Sequence, residues 1–418
     1  MLTELKLSNF RLFDDEVTVR FRPITIFIGE NNAGKSSIIK FLMLLKQSIG
    51  VLGGGFFTMD GESIELGEFS YLKNKNTTKR DLTFSLGVND NVSPADQFFD
   101  FVGRKKIDYK EGSYVTQATV NYTGKSRFLG KNQQIIYMAG NQKWVESSLI
   151  SPNSVFLDFQ TGMKNSNSMP DVVRHACVER LHYDIQGLRH LSAIREELKG
   201  EIATSSKSLG YVGKKGEQTI SAMLHSGILE DKERKDFLLG YTRRVLDVDN
   251  IHFTRLRRLV ACDAKNVRTE ATTSIAEFGF GVSQCLPVFT QGLLMPQYTQ
   301  LIVEQPEAQV HPTAQIEMGS FFADLWGKYQ VGSIIETHSS NILLGIQRRI
   351  EEERRKKKKS ERKVSMDNIS IAFFTDENGV VVVKNLDMDE GGNISGLPME
   401  FWGGDLIELL KIGALSDE

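Results

Sequence analysis

The chain has 418 residues, 40% hydrophobic and 25% charged, with 51 Lys and Arg against 53 Asp and Glu for a net charge of −2. It is long enough for one large or two ordinary buried cores and too apolar to be disordered. Its balanced charge excludes a general polycation, so any nucleic-acid contact has to come from a local patch.

Cys177, Cys262 and Cys285 form no CxxC pair, which argues against a disulfide framework or a zinc site and fits a reducing compartment. No apolar run approaches the roughly 20 residues of a membrane span. The opening Met1–Leu7 alternates like a strand and lacks the apolar block of a signal peptide. A cytoplasmic protein without a membrane anchor is expected.

Elements follow in order along the first fifty residues. Leu2–Leu7 and Val17–Phe21 alternate apolar and polar, and Ile24–Ile28 is a β-rich run. Gly29-Glu30-Asn31-Asn32-Ala33-Gly34-Lys35-Ser36 comes next, fitting GxxxxGK[ST] without a mismatch. From Ser37 onward, Ile38, Ile39, Leu42 and Leu45 share a helical face. Strand, glycine loop and helix in this order make a phosphate loop: glycines let consecutive N–H groups turn inward on phosphate oxygens, and the helix start adds positive potential. Lys35 is expected to reach the β- and γ-phosphates of ATP, and Ser36 to coordinate Mg²⁺.

Residues 50 to 120 are turn-rich, with strand candidates at Asp81–Leu86 and Tyr114–Tyr122, and helical periodicity marks Pro170–Leu181 and Leu229–Leu246. Regular alternation of strand and helix resumes near residue 280. It comprises Leu301–Val303, a helix over Thr313–Trp326, Ser333–Ile335, a helix over Ser340–Ile350, and strands at Ile369–Phe374 and Val380–Leu386. Such alternation predicts an α/β fold with a sheet parallel at its centre. We divide the chain into residues 1–90, carrying the phosphate loop; 91–265, an inserted middle region; and 266–418, where the α/β alternation resumes.

Three further motifs carry chemistry. Phe278-Gly279-Phe280-Gly281-Val282-Ser283-Gln284 opens a helix and offers a second amide-lined anion site, with a plain structural turn as the alternative. Leu301–Glu304 is an apolar strand ending in an acid, followed by Gln305, Pro306 and Glu307. Glu304 is the candidate for the Mg²⁺ shell. Gln305 can orient a water but cannot take its proton; Glu307 either substitutes as base or faces solvent. In Ile334-Ile335-Glu336-Thr337-His338-Ser339, His338 is placed to hydrogen-bond a γ-phosphate, or is a surface histidine before a helix capped by Ser339 or Ser340.

The order GENNAGKSS, FGFGVSQ, VEQPEAQVHP, ETHSSN resembles the ABC-clan P-loop ATPases that include the structural-maintenance-of-chromosomes, RecF and overcoming-lysogenization-defect groups. It is most similar to stand-alone bacterial ATPases with an EQPE-type motif. The resemblance implies an ABC-ATPase head, with a mixed antiparallel edge joined to a parallel core sheet and flanking helices, and a lid inserted between the halves. It makes residues 1–90 and 266–418 the N- and C-terminal parts of that head and 91–265 its lid. It also implies a head-to-tail homodimer or higher oligomer, in which Gly279, Gly281 and Ser283 of one copy face the ATP held by the other. It places Arg11, at the end of the opening strand, near the adenine, and Asn31, Asn32, Ala33 and Ser37 in the nucleotide cradle. The clan's more usual glutamate is replaced by Gln305, which implies slow hydrolysis. Leu191–Arg195 and Gly213–Glu217 are fainter echoes.

Many relatives act in anti-phage defence with a nuclease or toxin. The chain runs about eighty residues past His338, too few for a fused nuclease, so a separate effector is expected. The alternative is a RecF-like DNA-repair ATPase. Its motivation is the basic run Arg354–Lys359 with Arg362 and Lys363, which either grips nucleic-acid phosphates or pairs with Glu351–Glu353 on a solvated helix.

Overall fold

The computed structural model describes residues 1–48, 58–67, 69–77, 82–89, 98–107, 114–123, 133–139, 183–204, 210–356, 363–389, 392, 394–398 and 401. The helical periodicity at Pro170–Leu181 lies outside them.

The chain opens with β1 (Leu2–Ser8), β2 (Val17–Arg20) and β3 (Ile24–Gly29), and α1 (Lys35–Ser48) follows the glycine loop directly. β4 (Leu82–Asn89), β5 (Phe98–Ile107), β6 (Tyr114–Thr123) and β7 (Gln133–Ala139) extend β1 and β2 into a six-stranded sheet of order β2-β1-β4-β5-β6-β7. Every pairing in it is antiparallel. β8 (Arg189–Leu191), β9 (Glu201–Ala203), α2 (Thr219–Ser226), α3 (Lys232–Leu246) and the hairpin of β10 (Val248–Leu256) and β11 (Leu259–Asn266) come next. β9, β10, β11 and β12 (Thr272–Ser274) make a small antiparallel sheet.

The last segment supplies α4 (Phe280–Leu294), β13 (Gln300–Glu304), α5 (Pro312–Tyr329), β14 (Gly332–Glu336), α6 (Ser340–Arg354), β15 (Ile369–Glu377) and β16 (Val380–Leu386). The core sheet has the order β16-β15-β3-β14-β13-β8. β15, β3, β14, β13 and β8 are parallel, and β16 closes the edge antiparallel. The first strand of the phosphate loop is thus central, flanked by strands from the far end of the chain.

Alternation along each core strand decides which layer covers which face. Ile24, Ile26, Ile28, Leu301, Val303 and Ile335 join one core with α4, α5 and α6. Phe27, Ile302, Ile334 and Phe374 join the other, with α1, β1 and β2. Because both faces are covered, the central strands read as nearly continuous apolar runs. α5 and α6 meet through glycines: a Cβ on Gly319 would lie 2.0 Å from the Ile342 carbonyl oxygen, and one on Gly345 2.0 Å from that of Ile316.

The two fainter motif echoes meet each other. Ser192 N–H donates to the Lys214 carbonyl at 3.0 Å and Glu196 N–H to that of Lys215 at 2.8 Å. Gly216, at φ 78°, then sits against the ring of Pro287 inside α4, where a Cβ would come within 2.6 Å. The segment after β8 and the turn before α2 are therefore clamped onto α4.

Candidate nucleotide-binding site

The loop between β3 and α1 has a conformation only its glycines permit. Gly29 has φ 135° and its missing Cβ would lie 1.9 Å from the Phe374 carbonyl oxygen; Gly34 has φ 96° and its Cβ would strike the Phe13 ring at 2.6 Å. Both positions lie in the left-handed half of backbone space that L side chains avoid. Asn32 takes φ 62°, a value asparagine tolerates better than most. Asn31 and Asn32 are exposed, Ala33 and Ser37 buried.

Among the described residues no acceptor meets the N–H groups of Asn31, Asn32, Gly34, Lys35 or Ser36. The Lys35 side chain is buried at 4% exposure and turns back on the loop, donating to the carbonyls of Gly29 at 2.9 Å and Glu30 at 2.6 Å. Burial holds its pKa below the ordinary lysine value, against the opposing charges of Glu336 and Glu30. A row of unpaired amides, a helix start and a desolvated cation around one bend is the donor set a polyphosphate requires, so the residues fit ATP.

β13 and β14 run parallel in register, each ending on a glutamate, so that Glu304 and Glu336 are neighbours at the sheet edge facing the loop. Ser36 Oγ donates to Glu336, at 3.1 Å from both Oε1 and Oε2. Glu304 instead meets His190, its Oε1 2.7 Å from Nε2. Burial raises the Glu304 pKa, but the hydrogen bond and charge of His190 outweigh it and leave the carboxyl below its ordinary value. Glu336 is pushed up to about 7 by burial and by the charge of Glu304, with Ser36 and Lys35 opposing. Two carboxylates side by side therefore divide into a firmly ionised one and one near its midpoint at neutral pH. Ser36 with this acidic pair also fits Mg²⁺, which takes a few oxygen ligands beside phosphate oxygens and water rather than a protein cage.

Gln305 adopts φ 43°, and its N–H donates to the Glu336 carbonyl at 2.7 Å. Its side chain makes no hydrogen bond among the described residues. Glu307 Oε1 accepts the His338 N–H at 2.8 Å, while its buried Oε2 has no hydrogen-bond partner among the described residues. Burial raises the Glu307 pKa, and burial followed by the charge of Lys35 lowers that of His338. Ser339 caps α6, its Oγ accepting from the Asn341 and Ile342 N–H groups. The capping role of Ser339 is thus present in this turn, and the charge of Lys35 reaches the exposed His338 beside it.

The glycine turn before α4 borders a cleft that Gly29–Ser37, Glu304, Glu336 and His338 do not line. Gly279 and Phe280 are exposed, Phe280 to 44%, and the space a Gly279 Cβ would take is open. Gly279, Gly281, Gln309, Val310 and His311 border a cleft of about 360 Å³. Ser283 points inward: it is 7% exposed and its Oγ accepts the Leu198 N–H at 3.1 Å. Arg11 has φ 51°, its N–H donates to the Leu72 carbonyl at 2.7 Å, and its buried Nε has no partner among the described residues.

The structure therefore gathers Lys35, Ser36, Glu304, Gln305, Glu307 and His338 along the C-terminal edge of the core sheet, and leaves Gly279 and Gly281 on a cleft that these residues do not line. Sequence reasoning gave no role to Glu336 or to Arg195, which it quoted only within motifs, and did not name His190. Glu336 had a legible signal, since two short apolar strands each end in glutamate; His190 had none.

In the described part of the basic run, Arg354 and Arg355 pair with Glu351 at 2.6 and 3.0 Å, and Lys356 with Glu353 at 2.6 Å. These are pairs along one helix surface.

The phosphate loop, the acid-tipped strands beside it and the mixed sheet have the form of a P-loop nucleotide-binding fold. Residues 1–144 match the family described as AAA ATPase domain. No curated protein matches the chain.

Similar solved structures include the SmcHead bound to the C-winged helix domain of ScpA, at 12% identity over 92% of this chain and 98% of that one, TM-score 0.47. The SMC head domain from Thermotoga maritima is similar at 11% identity over 93% and 99%, TM-score 0.39. A Smc head domain with an extended coiled coil, bound to the C-terminal domain of ScpA derived from Pyrococcus furiosus, is similar at 12% identity over 100% and 99%, TM-score 0.43. Among the described residues no helix is long and apolar enough to cross a membrane.

Proposed function

We propose that the protein is a regulatory ATPase that closes as a homodimer, or a larger homo-oligomer, around ATP and Mg²⁺, and that closure controls a separate effector protein. The supporting observation is that the glycine turn and the phosphate loop do not line the same cleft. The cleft at the start of α4 is bordered by Gly279, Gly281 and Gln309, and by none of Gly29–Ser37, Glu304, Glu336 or His338. The exposed helix start is then free to meet a γ-phosphate held by another copy.

In this reading Lys35 leaves the Gly29 and Glu30 carbonyls for the β- and γ-phosphates. Ser36, released from Glu336, joins Glu304 in holding Mg²⁺, and Gln305 orients the attacking water. Because an amide accepts no proton, turnover is slow and bound ATP acts chiefly as a clamp. His338 contacts the γ-phosphate and registers its loss. That the effector is a nuclease or toxin serving anti-phage defence rests on the order of the four motifs. The alternative of a RecF-like DNA-repair ATPase is weakened by the described part of the basic run, where Arg354, Arg355 and Lys356 pair with Glu351 and Glu353.

Light scattering with and without Mg-ATP tests the proposal. The mass should double with nucleotide in the wild-type protein and stay monomeric in Lys35→Ala, whose ATP affinity should fall about 100-fold or more with loss of a buried charge-assisted contact. A wild-type protein that binds ATP by calorimetry yet stays monomeric overturns the dimer. One that binds no ATP overturns the site.

A further inference from the structure

Arg195 is among the largest fully buried side chains, at 2% exposure. A guanidinium in such a place costs several kcal/mol unless its donors are met and opposite charge is near. Here the side chain spans two elements. One Nη donates to the Glu304 carbonyl at 2.7 Å, at the very end of β13. The other reaches Gln284 Oε1 in the second turn of α4 at 3.5 Å, and Gln284 Nε2 donates back to the Arg195 carbonyl at 3.3 Å. Gln284 is itself 1% exposed.

Three further contacts hold the bridge in place. His190, five residues earlier, holds the Glu304 carboxylate. Leu198, three residues later, donates its N–H to Ser283. Gly216 presses on Pro287 in the same helix. Burial lowers the Arg195 pKa to about 10, with Cys285, Glu307 and Glu304 opposing, so the group stays cationic at neutral pH.

We infer that Arg195 is a positioning residue that couples the glycine-led helix α4 to the acid-tipped strand β13. The segment from His190 to Leu198 grips Glu304 by carboxylate and carbonyl at one end and Gln284 and Ser283 at the other. A shift of α4 when its exposed N-terminus engages another copy is passed to Glu304 and Gln305, where metal and water are placed. Arg195 touches neither nucleotide nor partner in this arrangement. The inference rests on the proposed dimeric ATPase, and adds which buried group makes hydrolysis depend on assembly.

The test uses the full chain with Arg195→Lys and Gln284→Leu, singly and together. Lysine keeps the charge but loses the fork that spans both partners, and leucine removes only the helix end of the bridge. Circular dichroism and thermal melts establish that each variant is folded. Calorimetry with Mg-ATP should give affinities within about twofold of wild type, while kcat falls about tenfold or more with KM little changed. The double variant should fall no further than Arg195→Lys alone, because both act through one link.

Folded variants with wild-type kcat, or losses that multiply in the double variant, overturn the coupling. Should Arg195→Lys fail to fold, Gln284→Leu alone decides by the same split of kcat against affinity. A wild-type protein without ATP binding or turnover instead brings down the underlying ATPase reading, and is recognised before any variant is compared.

Discussion

At the scale of single residues, the site is governed by how two adjacent glutamates are treated. Glu304 is stabilised as an anion by His190, whereas Glu336 carries the cost of burial next to it. A carboxyl whose folded pKa of about 7 lies above its ordinary 4.5 favours the neutral form in the folded chain. The stability it lends is complete below the ordinary value and is lost as pH rises through about 7. Without nucleotide or magnesium the wild-type protein should therefore melt lower at pH 8 than at pH 5. Glu336→Gln, neutral throughout, should flatten that dependence and gain roughly 2–3 kcal/mol at pH 8 relative to pH 5. Parallel melting curves for the two proteins would show Glu336 to be ionised without cost.

At the scale of elements, glycine sets how closely layers approach. The α5–α6 contact depends on Gly319 and Gly345, each facing a carbonyl of the other helix at a distance no side chain could share. Gly345→Ala should separate α5 from α6 and lower stability by about 2 kcal/mol or more, although alanine favours helix over glycine by about 1 kcal/mol. Chemical denaturation measures the balance, and a stabilised variant would mean that the helices slide apart freely. Spacing predicted these helices and the strands beside them: the periodic stretches over Thr313–Trp326 and Ser340–Ile350 became α5 and α6, each about one turn longer. Leu229–Leu246 formed α3 from Lys232 onward, with Asp231 capping it through its side chain. The β10–β11 hairpin was not foreseen. Its turn, Arg257 and Arg258, has none of the Asn-Gly or Asp-Gly chemistry that marks such turns, and Arg257 takes a positive φ of 28° there.

At the scale of the whole molecule, the proposed function is a clamp closed by ATP and opened by hydrolysis. In that proposal turnover and the lifetime of the closed assembly are tied through Gln305, whose side chain makes no hydrogen bond among the described residues and whose backbone is pinned to the Glu336 carbonyl. Gln305→Glu supplies a proton acceptor at the same point. It should raise ATP turnover about tenfold or more, the range general bases contribute, and shorten the life of the Mg-ATP dimer in proportion. Single-turnover hydrolysis followed beside light scattering measures both. Lower turnover in Gln305→Glu would place the base elsewhere, with Glu307 the first candidate.

The sequence by itself determined the phosphate loop, the alternation of strands and helices, and the acid at the end of β13. Each is a local matter of spacing, backbone freedom and periodicity. Tertiary structure decided that β3 lies between β15 and β14, that Ser36 meets Glu336 while Glu304 meets His190, and that Arg195 joins α4 to β13. Those partners are separated by 300, 114 and about a hundred positions. Their meeting depends on sheet order and parallel register, which no local pattern encodes.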